Sequence, residues 1–233
     1  ELLVNTYWQS NMMLLIKRAN KYFPTIEKIL AEEGVPTDLK YLSVIESGLE
    51  NVTSPSGAKG IWQIMRTTGR EYGLEVNSNV DERFHLEFST RMAAKYLKKA
   101  KDKFGSWTLA AASYNRGISG IQRKLNTQKV DSYFDLKLGQ ETSRYVFRVL
   151  AVKEIIENPL KYGYMFDKSD LYSNVPVRYY GLDTAISNLA TFAHKMGVNY
   201  KILKIHNPWL LQNHLNNRSR KYYEIAIPEK GYY

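Results

Sequence analysis

Apolar residues recur at helical spacing through the first two thirds of this chain, cut into segments by Pro and Gly, and that pattern restricts the fold more than any other feature. Over residues 7–30, Trp8, Met12, Leu15, Ile16, Ala19, Tyr22, Phe23, Ile26, Ile29 and Leu30 keep helical period. They predict a helix bent or broken at Pro24 and stopped by Gly34. A shorter helix is expected after Pro36, capped by Thr37 or Asp38 and ending near Gly48. Residues 51–60, rich in Ser, Pro and Gly, read as loop. Helices are then expected over residues 86–104, stopped by Gly105, over 107–114, capped by Ser106 and closed by Gly117, and over 141–157, ended at Asn158-Pro159.

After about Tyr164 the character changes. Residues 175–179 are β-prone, with Pro176 restricting them to an edge strand. Asp183 is expected to cap a helix that turns Ile186, Leu189, Ala190, Ala193 and Met196 inward, and Asn199 to cap a second one through Ile202, Leu203 and Ile205. Tyr223, Ile225 and Ile227 alternate as a closing strand. The expected class is therefore mainly α, with a helical domain over residues 1–165 and a small β-α-α-β module over 166–233.

Composition excludes more than it selects. There is no Cys among the 233 residues, which removes disulfides, thiolate metal sites and cysteine nucleophiles. His85, His194, His206 and His214 lack ligand spacing, so no metal and no cofactor is expected. No apolar stretch is long enough to cross a bilayer. Because the sequence starts at Glu1 without Met, a targeting segment or lipid anchor is expected to have been removed. The net charge of +10 suits a polyanionic partner, but it is dispersed, and no basic cluster or recognition motif supports nucleic-acid binding.

Chemistry is most plausible at Glu46. On the expected helix Leu39, Leu42 and Glu46 fall on one face, so core burial of the two leucines carries the carboxylate inward at the helix's C-terminal end. Partial desolvation and the negative helix end would both raise its pKa, as a general acid requires. A solvated Glu at a frayed helix end is the plainer account. The loop that follows puts small residues, Ser56, Gly57, Ala58 and Gly60, just ahead of Trp62-Gln63, whose amide could both donate to and accept from an acetamido group. Tyr114-Asn115 closes an apolar helix, where it could meet a ligand or serve only in capping.

Taken in order, Glu46-Ser47-Gly48, Ser56-Gly57-Ala58-Lys59-Gly60-Ile61-Trp62-Gln63, Ala111-Ala112-Ser113-Tyr114-Asn115-Arg116-Gly117 and Glu141-Thr142-Ser143-Arg144-Tyr145-Val146 resemble the four motifs of the soluble-lytic-transglycosylase (SLT) catalytic domain. The Trp62-Gln63 pair and the long Glu141 helix are nearest its membrane-bound murein branch, and the resemblance runs over about residues 23–164. It implies a lysozyme-like helical domain that cleaves peptidoglycan glycan strands without water, leaving 1,6-anhydromuramyl ends. On that resemblance Glu46 acts as acid and then base, Ser47 and Gln63 orient Glu46 or the acetamido group, Tyr114 and Asn115 bind sugar, and Tyr145 hydrogen-bonds near the carboxylate. Gly48-Leu49 and Ser113 depart from the family's usual residues without removing a catalytic group.

The tail, through Asp183-Thr184, Leu189-Ala190, Asn207-Pro208 and Ile225-Ala226-Ile227-Pro228, resembles a degenerate lysin-motif (LysM) module. Such modules bind N-acetylglucosamine glycans; a helical appendage packed on the first domain is the other account. The resemblance also implies a periplasmic location, with outer-membrane association through the removed N-terminal segment. Two other functions stay open: a hydrolytic, goose-type muramidase, for which Glu50, Glu71, Asp81, Glu82 and Glu87 are the nearby acids, and a catalytically silent peptidoglycan-binding protein. The sequence leaves oligomeric state undetermined.

Overall fold

A computed structural model describes residues 9–232. Helix α1 (Gln9–Glu32) continues unbroken through Pro24, which the sequence had marked as a bend or break. Pro24 is exposed, as is Asn20 one turn earlier, so the carbonyl left without its helical donor faces water. On the opposite face Met12, Leu15, Ile26 and Leu30 are buried, and that packing outweighs the local penalty of about 3 kcal/mol. The expected start at Tyr7 and Trp8 lies outside the described residues.

A 3-10 turn (Thr37–Lys40) leads into α2 (Tyr41–Ser47), which ends at Gly48 in the left-handed conformation, φ 63°. No side chain caps the start of the 3-10 turn, and the expected capping residue Asp38 instead accepts from Lys153 Nζ at 2.5 Å. Helices α3 (Arg66–Glu71), α4 (Leu86–Phe104), α5 (Trp107–Arg116), α6 (Ile118–Gln128) and α7 (Gln140–Glu157) follow. Gly105 stops α4 at φ 67°, and Ser106 caps α5 by accepting from the Leu109 N–H. The central α5 buries its run from Leu109 to Ser113, four small residues among them, which lets α4, α6 and α7 pack closely around it. Their core continues through Leu30, Leu42, Trp62, Leu97, Ile121, Tyr145 and Ile155.

Helices α3 and α6 had no sequence expectation. The first is polar, with only Gly69 buried, and the second carries few apolar residues and an internal Gly120. Neither offers a long periodic stripe, and tertiary contacts decide both.

The tail has the expected β-α-α-β order. Strand β1 (Val177–Leu182) pairs antiparallel with β2 (Tyr223–Pro228), from Val177 opposite Pro228 to Leu182 opposite Tyr223, with α8 (Leu189–Lys195) and α9 (Tyr200–His206) between them. Asn199 caps α9 as expected. Asp183 does not cap α8: its carboxylate takes Arg220, and Asn188 accepts from the Ala190 and Thr191 amides instead. Along α9, Leu203 is buried and Ile205 is exposed.

The tail's apolar cluster also contains Val80, which is contributed by the helical half. His85 closes the seam beside it, stacked on Phe88 at 4.2 Å between ring centroids and tilted against Trp209 at 6.0 Å. Its Nδ1 is buried with no hydrogen-bond partner, and burial pushes its pKa down to about 4. The unfolded chain, with a His pKa near 6.5, therefore takes up this proton first. The neutral ring's contribution is complete above about pH 6.5 and is lost as pH falls toward about 4, on the order of 3 kcal/mol. Urea unfolding of His85→Phe should lack this acid-side loss, and equal pH slopes in variant and wild type would refute the assignment.

Candidate functional site

Glu46 is the penultimate residue of α2, and the two leucines expected to carry it inward are buried, Leu39 at 8% exposure and Leu42 at 0%. Its carboxylate Oε1 accepts from Tyr145 Oη at 2.5 Å. Burial is the dominant influence and raises the pKa to about 7. The Tyr145 hydrogen bond and the Arg148 charge oppose that rise, while the Glu141 charge adds to it. A group poised there is protonated or ionised in comparable amounts near neutrality, as one that must give up and then take a proton requires.

The carboxylate faces a cleft of about 880 Å³ between α1, the end of α2 and the first turns of α7. Arg18 from α1 and Glu141, Arg144 and Arg148 from α7 line it with Glu46, Ser47 and Glu50. Two further acids thus share the cavity. Glu50, named in advance as a nearby acid, pairs with Arg18; Glu141 pairs with Arg148 at 3.2 Å. The resemblance had placed Tyr145 of α7 near the carboxylate, but the charged wall that Arg148 completes was not foreseen, although the spacing of Glu141, Arg144, Tyr145 and Arg148 puts all four on adjoining helical positions.

The other expected residues converge behind Glu46, and most of their polar atoms are spent on the protein itself. Ser47 Oγ donates to the Ile61 carbonyl at 2.8 Å and to the Ser43 carbonyl at 3.2 Å, rather than to Glu46. Gln63, at a left-handed φ of 47°, turns its amide back on the Gly60 and Val52 carbonyls at 2.9 and 3.2 Å. Tyr114 Oη donates to the Trp62 carbonyl at 2.8 Å, and the Glu46 charge helps burial to raise its pKa. Asn115 Oδ1 accepts from the Thr142 hydroxyl at 2.8 Å, tying the end of α5 to α7. Tyr145 alone among them bonds the carboxylate, while Gln63, Tyr114 and Asn115 do not line the cleft.

The 57–64 loop is consequently a firmly held object. Trp62 is fully buried, its Nε1 donating to Thr90 Oγ1 at 2.9 Å and its ring edge-on to Tyr114. Buried indole N–H groups need such a partner, and here it fixes the loop to α4.

Comparison with known proteins places these features in a family context. The profile described as the transglycosylase SLT domain matches residues 24–135, which hold Glu46, Ser47, Gln63, Tyr114 and Asn115 but not Tyr145. The profile described as the soluble lytic transglycosylase C-terminal LysM-like domain matches residues 178–231. The chain is 30% identical over 219 residues to membrane-bound lytic murein transglycosylase D of Escherichia coli K12, covering 91% of this chain and 47% of that protein. The same figures hold for the protein of that name in Escherichia coli O6:H1. The chain thus spans about half the length of the curated relatives it matches. Among solved structures, an inactive mutant of the lytic transglycosylase Slt from Pseudomonas aeruginosa superposes with a TM-score of 0.48 at 22% identity, over 65% of this chain and 26% of that one.

Proposed function

We propose, from the premise that this chain carries a transglycosylase SLT domain and a soluble lytic transglycosylase C-terminal LysM-like domain, that it cleaves peptidoglycan glycan strands as a lyase. Glu46 is the acid. The observation that carries this reading is a carboxyl group with its pKa raised to about 7, bonded to Tyr145 and opening on a cleft of about 880 Å³. Protonated Glu46 gives its proton to the glycosidic oxygen as the bond from muramic C1 breaks. The resulting carboxylate then takes the proton of the C6 hydroxyl, whose oxygen closes on C1 to form the 1,6-anhydro ring. One proton goes out and one comes back, and no water is consumed.

Tyr145 steadies the carboxylate in both states, being a donor to the ionised form and a neighbour that accepts or donates to the neutral one. Ser47, Gln63, Tyr114 and Asn115 fix the loop and helix ends around the cleft; sugar contact by Tyr114 and Asn115 belongs to the same proposal. In this reading the helical domain spans residues 1–165 and the accessory module 166–233, and the protein works outside the cytoplasm, in the periplasm.

Hydrolysis is the one competing reading that a specific observation favours, since Glu141 lines the same cleft and its charge reaches Glu46. Against it, the Glu141 carboxylate is engaged by Arg148 at 3.2 Å rather than left open to hold a water. Digestion of purified sacculi followed by mass spectrometry separates the two. The expected product ends are one water lighter than those from a hydrolytic muramidase. Reducing, hydrated ends from the wild-type chain would transfer the assignment to hydrolysis, and no released fragments at all would leave a binding protein.

A further inference from the structure

The C-terminal module does not hang from the helical half by a linker alone. Residues 79–81 pair with residues 209–211 as a short antiparallel bridge: Val80 lies opposite Leu210, the Asp81 amide donates to the Trp209 carbonyl at 2.9 Å, and the Leu211 amide donates to the Asn79 carbonyl at 2.9 Å. Val80, 1% exposed, plugs into the module's own apolar cluster. Asn79 donates to the His214 carbonyl at 2.9 Å and accepts from the Asn216 amide at 2.7 Å. Lys221 from the module reaches Glu75 at 2.8 Å and Glu82 at 2.7 Å.

The segment held in this way is directly joined to the 57–64 loop behind the cleft. Asp81 and Arg83, both almost wholly buried, form a two-pronged ion pair, with Nε and Nη2 each 2.8 Å from the carboxylate. The remaining arm of the guanidinium, Nη1, donates to the Gly57 carbonyl at 3.2 Å and the Ile64 carbonyl at 3.1 Å, clasping the two ends of the 57–64 loop. Lys59 of that loop comes within 3.5 Å of Asp81. At the loop's other side Ser47, next to Glu46, donates to Ile61 and Tyr114 donates to Trp62. Covalent and hydrogen-bonded links therefore run without interruption from the module through Asp81 and Arg83 to the residue beside Glu46.

We propose that the C-terminal module braces the cleft, holding the 75–84 segment so that Arg83 acts as a positioning residue for the Gly57-to-Ile64 loop. A planar guanidinium is suited to this role: it can satisfy a carboxylate with two donors and two carbonyls with a third, which a Lys ammonium cannot match in one plane. The brace rests on the transglycosylase reading only for its effect on turnover; its mechanical part does not depend on any activity.

The test uses the whole chain with Val80→Asp, which puts a charge into the module's apolar cluster, and Arg83→Lys, which keeps a cation beside Asp81 but removes the fork. Amide hydrogen exchange read by mass spectrometry should accelerate at least tenfold across residues 57–64 in both, while peptides from α4 and α5 keep wild-type protection. With Arg83→Lys, the KM for soluble glycan strands should rise about tenfold, because Ser47, which lines the cleft, is held by Ile61 of the loop, while kcat should change less than threefold, because Glu46 and Tyr145 keep their own hydrogen bond. If Val80→Asp loosens residues 189–227 and leaves 57–64 unchanged, the module is no brace. If Arg83→Lys leaves the loop's exchange and KM at wild-type values, Arg83 has no positioning role. Should Val80→Asp not yield folded protein, Arg83→Lys with Lys221→Ala, which cuts the module's links to Glu75 and Glu82, decides on the same exchange readout. Wild-type protein that is braced but releases no fragments would instead strike the transglycosylase reading.

Discussion

Glu46→Gln should abolish release of glycan fragments from sacculi, a loss of about a thousandfold or more, while making the protein harder to unfold above pH 7. The first effect follows from removing the only proposed proton carrier, since a positioned general acid contributes roughly 10²–10⁴ in rate and here the same group serves twice. Gln keeps the carbonyl oxygen that can accept from Tyr145, so the geometry survives and the chemistry does not. The stability effect follows from linkage. Burial raises the folded pKa to about 7, above the unfolded value of 4.5, so the folded state favours the proton. That contribution is fully present below about pH 4.5 and is lost as pH rises through 7, when a desolvated charge has to be kept; over about 2.5 units it reaches on the order of 3 kcal/mol. Urea unfolding of wild type and Glu46→Gln should therefore diverge at pH 8 and nearly coincide at pH 4. Equal stabilities at both values would mean that Glu46 is not desolvated. Retained fragment release would remove it from the mechanism.

Gly60→Ala should be the most damaging conservative change in the 57–64 loop. Gly60 sits at φ 81°, and a methyl group added there would lie 1.9 Å from the backbone carbonyl oxygen of Arg83. The left-handed backbone costs an L-residue about 1–2 kcal/mol. Displacing a carbonyl in a packed region adds a similar or larger amount, about 1–3 kcal/mol. Neither neighbour can move cheaply: Arg83 is locked to Asp81, and the loop is locked through Ile61, Trp62 and Ile64. A loss of about 3 kcal/mol would lower Tm by roughly 6–12 °C in a protein of this size. Calorimetry together with fragment release checks it. Gly73→Ala, also at positive φ but with nothing near the added carbon, is the control for backbone strain without a clash. Similar Tm values for the two variants would show that the close approach to Arg83 carries no weight.

The helical frame was legible to the residue in places. Leu86–Phe104 was bounded by a real periodic stripe and a glycine stop, and Ser106 and Asn199 cap the helices that follow them. Where the periodic signal was short or polar, as in α3 and α6, nothing in the local sequence announced a helix. Pro24 did not end the helix for the opposite reason: a local rule was correct about the lost hydrogen bond but blind to the buried face that keeps α1 unbroken. The Asp183 cap failed because Asn188 competes for the same job five residues on, closer to the first buried leucine.

At the candidate site, helix phase turned Glu46 inward, and the resemblance of four ordered motifs grouped it with Ser47, Gln63, Tyr114, Asn115 and Tyr145, because helix phase and motif order are one-dimensional properties. What it could not contain is which polar atoms would be left over for a ligand. Ser47, Gln63 and Asn115 spend atoms on carbonyls and a hydroxyl supplied from elsewhere in the chain, and the charged wall of Arg18, Glu141 and Arg148 forms only when α1 and α7 meet. The sequence by itself determined the mainly helical class and the β-α-α-β tail, and it placed Glu46 on the buried face of its helix, since periodicity, turn residues and motifs act over short separations. Tertiary structure alone decided the pKa of that carboxylate and the docking of the tail onto Val80, because desolvation and hydrogen-bond satisfaction are summed over partners far apart in the chain.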